Sequence, residues 1–335
     1  MPRAKHRSDI ALAPRGDPPM LWFTADDGRT LSTLAGEALA KRRGNALRPG
    51  FRPVHTTGVF LSGSFTAHGA TLPLAPAHLT PGSPPVAVTA RFSSCDPRLP
   101  ANDRRHGPRG LAVRLYLSNG ATTDLVAMSA DRFLVSTRAA FISVSRAMSS
   151  FILLRWIRMG WLTAVRQVRA PVTFALAFPP RSYCTLDYYT VNTFVWAHQQ
   201  PVRYRWRPVG GPQWRLPWTR LFKHRRYLER ELAERMAEPG AVAFRLEVQC
   251  PGPKVSRKRL ADAAKPLPRG TKWTPVGTLD LDRIIDGPEA IELYRLVFSP
   301  THLVPGVETY PGDELMAMRM AAYSASHVAR TGGPL

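Results

Sequence analysis

The chain has 335 residues, enough to bury a large core in one or two domains. Its 44% hydrophobic and 21% charged content is that of an ordinary globular protein. Net charge is +22, carried by seven lysines and 39 arginines spread along the whole chain. No RNP, zinc-finger or bZIP pattern accompanies them, so no specific nucleic-acid module is expected. The three cysteines, Cys95, Cys184 and Cys250, are odd in number, far apart and form no CxxC pair, so neither a disulfide framework nor a zinc ribbon is suggested and a reduced, cytoplasmic setting fits. No apolar run follows Arg3, Lys5 and Arg7, so no secretory signal is expected.

Residues 1–25 read as an N-terminal arm, polar and Pro-rich at its start, and residues 26–332 as a single domain. A helix is predicted from Leu31 to Arg43, stopped by Arg48-Pro49-Gly50. Alternating patterns predict strands at Thr57–Thr66, Val86–Phe92, Leu111–Leu117, Val172–Ala177, Val202–Trp206, Ala243–Val248 and Val276–Leu281. Helical patterns cover Arg138 to about Val168, Leu221–Ala237 and Glu314–Arg330. Many strands separated by turns suggest an antiparallel sheet or barrel rather than βαβ units, hence an α+β fold. The stretch Phe151–Leu162 carries Arg155, Trp156, Arg158 and Trp161 and is too short and too charged to span a bilayer. Two readings stay open for it: a helix packed on the barrel with solvated arginines, or a lipid-facing surface.

On the last helix Arg319 and Tyr323 are four residues apart, which puts a guanidinium beside a phenol oxygen on one face. Such a neighbour favours the phenolate, an oxygen anion able to hold a ferric haem iron. Far upstream stand Arg52-Pro53-Val54-His55, then Arg91-Phe92-Ser93, then Asp103 through Val113, then Asp124-Leu125-Val126. In this order and spacing the segments resemble the haem catalase family, from about Arg52 to Arg330.

The resemblance implies a closed antiparallel β-barrel with surrounding helices and haem b buried between barrel and C-terminal helix. It makes Tyr323 the iron ligand, Arg319 its partner, and Arg52, Arg91 and Arg330 the residues at the haem propionates. His55 becomes the distal proton relay, Ser93 its hydrogen-bond partner, Phe133 and Phe141 the distal aromatics, and His327 a supporting residue. Val54 is the catalase-like choice over the substrate channel. Met128 takes the place of the family's distal asparagine, with Ser129 next in line. A thioether donates no hydrogen bond to peroxide, whereas a serine hydroxyl could. The sequence given ends twelve residues past Tyr323, a minimal form that resembles the small catalase-related peroxidases and the catalase-like domain of allene oxide synthases, so no dinucleotide site and no interlocked tetramer is expected.

The implied function is a haem peroxidase reducing hydrogen peroxide or organic hydroperoxides with small organic reductants through a ferryl intermediate. Three alternatives stay open: a weak catalase, a fatty-acid hydroperoxide isomerase or dehydratase, and a basic protein that binds nucleic acid or anionic membrane. Anionic lipid, a lipid hydroperoxide and a second copy of the chain stand as candidate partners, and a membrane-peripheral location stays open beside the cytoplasmic one.

Overall fold

The computed structural model describes residues 52, 55–95, 101–148, 152–164, 177–213 and 224–331. The predicted arm, the Leu31–Arg43 helix, Val54 and all but the last residue of the strand at Val172–Ala177 lie outside them.

Ten strands are described: β1 (Gly58–Ala67), β2 (Val86–Ser94), β3 (Arg109–Tyr116), β4 (Thr122–Met128), β5 (Tyr188–Tyr189), β6 (Phe194–Trp196), β7 (Gln200–Pro208), β8 (Ala243–Gln249), β9 (Trp273–Ile285) and β10 (Val307–Thr309). Eight of them close a ring of antiparallel pairs in the order β7-β5-β4-β3-β2-β1-β9-β8, with β8 returning to β7. The first residues of β7 pair instead with β6, which carries β10 as a short extension. Strand β4 was legible only as a motif, and the two- and three-residue strands are too short for a period-two pattern. Strand β9 outruns its predicted Val276–Leu281 because it pairs with β1 on one side and β8 on the other.

Alternation along each strand sorts the side chains. Leu61 and Phe65 of β1, Val88, Ala90 and Phe92 of β2, Leu111, Val113 and Leu115 of β3, Leu125 and Ala127 of β4, and Phe244, Leu246 and Val248 of β8 share one buried cluster. Aromatic rings plug the middle. Phe65 meets Trp206 edge-on at 6.0 Å, and Phe92 lies within 6.0 Å of Tyr188 and Phe244. The barrel interior, among the described residues, is therefore a packed core. The opposite parity, Arg91, Ser93, Gly110, Ala112, Val126 and Met128, faces outward.

Among the described residues the α-helices are α1 (Arg138–Met148), α2 (Ile152–Ala164), α3 (Tyr227–Met236), α4 (Arg257–Leu260), α5 (Gly287–Leu293) and α6 (Glu314–Thr331). The single helix predicted from Arg138 is thus seen as two helical stretches, α1 and α2. Helix α3 lays Tyr227, Leu228 and Leu232 on the barrel cluster. Helix α6 buries Leu315 and Met318 against Val135, Ala140 and Val144, and Phe141 and Ala322 pack on the same cluster.

One glycine shows how tightly the ring closes. At the β1–β9 bulge between Ser62 and Gly63, a Cβ on Gly63 would sit 2.0 Å from the backbone oxygen of Asp280. Gly63→Ala should cost about 1–3 kcal/mol, because the obstacle is backbone and cannot rotate away. Urea unfolding followed by circular dichroism checks this; an unchanged midpoint contradicts it.

Candidate active site

The outer barrel face carries the first group of residues. Ser93 of β2, Gly110 of β3 and Met128 of β4 stand side by side in register, with Arg91, Ala112 and Val126 in the next outward row. His55, just before β1, adopts a left-handed backbone with φ of 56°, a conformation a non-glycine residue holds only when its surroundings fix it. Here Arg91 Nη2 donates to the His55 carbonyl at 2.8 Å. The imidazole Nδ1 is 2.9 Å from Ser93 Oγ, which sets the ring over β2 and β3. Gly110 leaves the room: a Cβ there would lie 2.7 Å from Ser93 Oγ and 3.1 Å from the ring.

Burial pushes the His55 pKa down to about 3, and the charges of Arg91, Arg52, Arg319 and Arg109 act in the same direction. The ring is neutral at physiological pH and keeps one nitrogen lone pair. Arg319 comes from α6, so its influence ties the C-terminal helix to this face.

Two arginines flank the histidine. Arg91 lies 5.4 Å from the centre of the Phe60 ring and 6.0 Å from that of Tyr294. Arg52 donates to the Leu296 carbonyl, and its own carbonyl accepts from Thr56 Oγ1 at 2.8 Å. Arg330 falls in the last turn of α6, and its side chain lies outside the described residues.

On α6, Arg319 Nη2 reaches Tyr323 Oη at 3.4 Å. The same guanidinium gives Nη1 to Asn192 Oδ1, and Asn192 Nδ2 donates to Asp313 Oδ2 at 2.7 Å. The other oxygen of Asp313 accepts the amides of Leu315 and Met316 at 3.1 Å each, capping the helix. The sequence reading missed Asn192 and Asp313. Asp313 follows Pro311-Gly312 at a helix start and was findable as a cap. Asn192 comes from the loop before β6, and no local pattern marks it.

Tyr323 lines a cavity of about 460 Å³ with Met320, His327, Leu296, Val297, Arg114 and His302 among its walls. Arg114, also missed, donates twice to the fully buried Asp124 at 2.7 Å and once to the Val297 carbonyl. Asp124 in turn accepts the Ser299 amide at 2.8 Å. The Asp124-Leu125-Val126 and Phe298-Ser299-Pro300 segments thus fasten the 296–302 loop to the barrel. Phe133 and Phe141 stack at 5.8 Å and share a cluster with Met128 and Ala322. Ser129 Oγ accepts the Arg109 amide at 2.8 Å, so one of its lone pairs is engaged in closing the β3–β4 ladder.

The family profile described as Catalase matches residues 47–334. A catalase-related peroxidase of Mycolicibacterium paratuberculosis is 30% identical over 305 residues, 85% of this chain and 90% of that protein. Catalase isozyme 2 of Ricinus communis is 26% identical over 99% of this chain and 68% of its own length. The crystal structure of a fungal catalase superposes with a TM-score of 0.74 at 19% identity, over 88% of this chain and 61% of that one.

The depressed pKa of His55 has a measurable sign. Between pH 6.5 and about 3 the unfolded chain binds a proton at this residue that the folded chain does not, so stability rises with pH across that window. From about pH 7.5 down to about 4.5, urea midpoints should fall more steeply for the wild type than for His55→Gln. Parallel curves would contradict a neutral, enclosed imidazole.

Proposed function

Because the chain belongs to the catalase family, we propose that it is a haem b peroxidase that reduces hydrogen peroxide or organic hydroperoxides, drawing electrons from small organic donors. The observation that carries this reading is a neutral imidazole held on Ser93 and subject to the charge of the arginine that pairs with Tyr323.

The residues fit a haem. The packed interior leaves the outer face as the seat, where Ser93, Gly110, Ala112 and Val126 are small and Arg91 and Met128 stand beside them. A Cβ at residue 110 would fill the space beside His55. Tyr323 offers a phenol oxygen, the donor type that suits ferric iron, at the wall of a cavity within the usual size range for cofactors. In this reading Tyr323 would hold the iron, Arg52, Arg91 and Arg330 the propionates, and Phe133 and Phe141 the porphyrin face. When bound, the haem supplies the redox chemistry for cleaving the O–O bond.

The chain's own groups manage protons and position. With Nδ1–H donated to Ser93, Nε2 of His55 keeps its lone pair. It takes the proton from the peroxide oxygen and returns it to the departing one, so that ROOH, two electrons and two protons become ROH and water. Arg319 orients the phenol oxygen, and Asn192 with Asp313 fixes Arg319. Met128, in the outward row with Ser93, donates no hydrogen bond to a second peroxide, which favours peroxidation over dismutation.

Haem-loaded protein should convert an alkyl hydroperoxide to its alcohol in the presence of a phenolic donor, and His55→Gln should lower kcat/KM by roughly 10²-fold or more. An epoxide or ketol product would overturn the peroxidase reading in favour of an isomerase. In Met128→Asn, hydrogen peroxide dismutation should rise about tenfold or more against peroxidase turnover, the scale of one added hydrogen bond in the transition state. An unchanged ratio removes Met128 from the account.

A further inference from the structure

Helix α2 has two faces. Leu162 is buried and Met159 packs beside it on the cluster that holds Val135 and Val144. Ile157 and Trp161, one turn apart on the other side, are each 60% exposed. Arg158 and Gly160 beside them are exposed too. From residue 132 to residue 186 the sequence contains eight arginines and no aspartate, glutamate or lysine. Arg132, at the start of the stretch, pairs with Asp131 just outside it at 2.8 Å.

We propose that the Ile157–Arg158–Trp161 face of α2 docks on an anionic phospholipid surface. Its chemistry matches a bilayer interface: an indole and a branched aliphatic side chain enter the acyl boundary while guanidinium groups meet phosphate. Juxtamembrane cations gain from the negative surface potential of such a bilayer, and Arg158, three residues before Trp161 on the exposed face, is placed to use it. A second copy of the chain fits less well, since a two-fold contact here would set this cationic stretch against itself. A nucleic acid would use the charge but leave the aliphatic side chain of Ile157 without a partner. Among the described residues no helix is long and apolar enough to cross a membrane, so the contact is with the surface. The proposal is independent of the haem chemistry, and its test needs no turnover.

The full-length chain is sedimented with phosphatidylcholine vesicles containing about 30% phosphatidylglycerol, and with phosphatidylcholine alone. Partitioning should be at least about tenfold stronger on the anionic vesicles and weaken as salt rises from about 50 to about 500 mM. The double substitution Ile157→Ser with Trp161→Ser, at exposed positions and with an unchanged circular-dichroism spectrum, should lower it about tenfold or more. Arg158→Glu is a second variant and should also weaken it. Brominated acyl chains should quench the wild type more than Trp161→Phe. Full binding by the double variant, or equal binding to neutral vesicles, overturns the proposal. So does a double variant that changes the sedimentation coefficient but leaves vesicle binding intact, since that marks an interface between copies.

Discussion

A run of hydrogen bonds from Asp313 through Asn192 and Arg319 to Tyr323 fixes what the C-terminal helix can present. Asp313 does two things at once. Its one oxygen caps α6, a contribution of about 1 kcal/mol in comparable helices, and its other oxygen anchors Asn192. Burial pushes the Asp313 carboxyl upward, while the bonds from Asn192 and the helix amides oppose that. Hydrogen bonds to charged groups contribute about 1.5–3 kcal/mol each, so the run is stiff as well as directional. Without it, the Tyr323 phenol in the middle of α6 would lose the partner that orients its oxygen.

The second constraint is the filled barrel. The inward faces of the long strands are largely apolar and aromatic rings meet in the middle, while Arg109 of β3 and Ser94 of β2, on the same parity, pair with each other in the buried interior. On the outward face β2, β3 and β4 present Arg91, Ser93, Gly110, Ala112, Val126 and Met128, and the His55 imidazole stands beside Ser93. The 294–302 segment closes one flank. It is held by the Arg114–Asp124 pair, by Arg52 at Leu296 and by packing of Phe298 with Phe60 and Ile285. Burial, and after it the charges of Arg91, Arg52, Arg319 and Arg109, keep His55 neutral.

Much of this was legible in the sequence, for physical reasons that differ by element. The long strands and α3 announced themselves because one face of each is buried and the other is not, so period two and period 3.6 are printed in the residues. The Arg319–Tyr323 pair and the His55–Ser93 pair were legible because their motifs survive intact, and both meet in space. Strand β4 was hidden inside a motif, and β5, β6 and β10 are too short to carry a period. Asn192 was invisible because its role depends on a loop meeting a helix 127 residues away. Arg114 was lost among 39 arginines until Asp124 singled it out. Ser129, a candidate on sequence order, is engaged with the Arg109 amide, while Met128 shares the outward row with Ser93 and Gly110.

The most direct test of the central claim is the optical spectrum of the chain titrated with ferric haem. If Tyr323 supplies the axial oxygen, the wild type and His55→Gln should give the same phenolate-ligated ferric spectrum, and Tyr323→Phe should lose it and bind haem more weakly. A Tyr323→Phe protein with the wild-type spectrum and affinity would contradict the account.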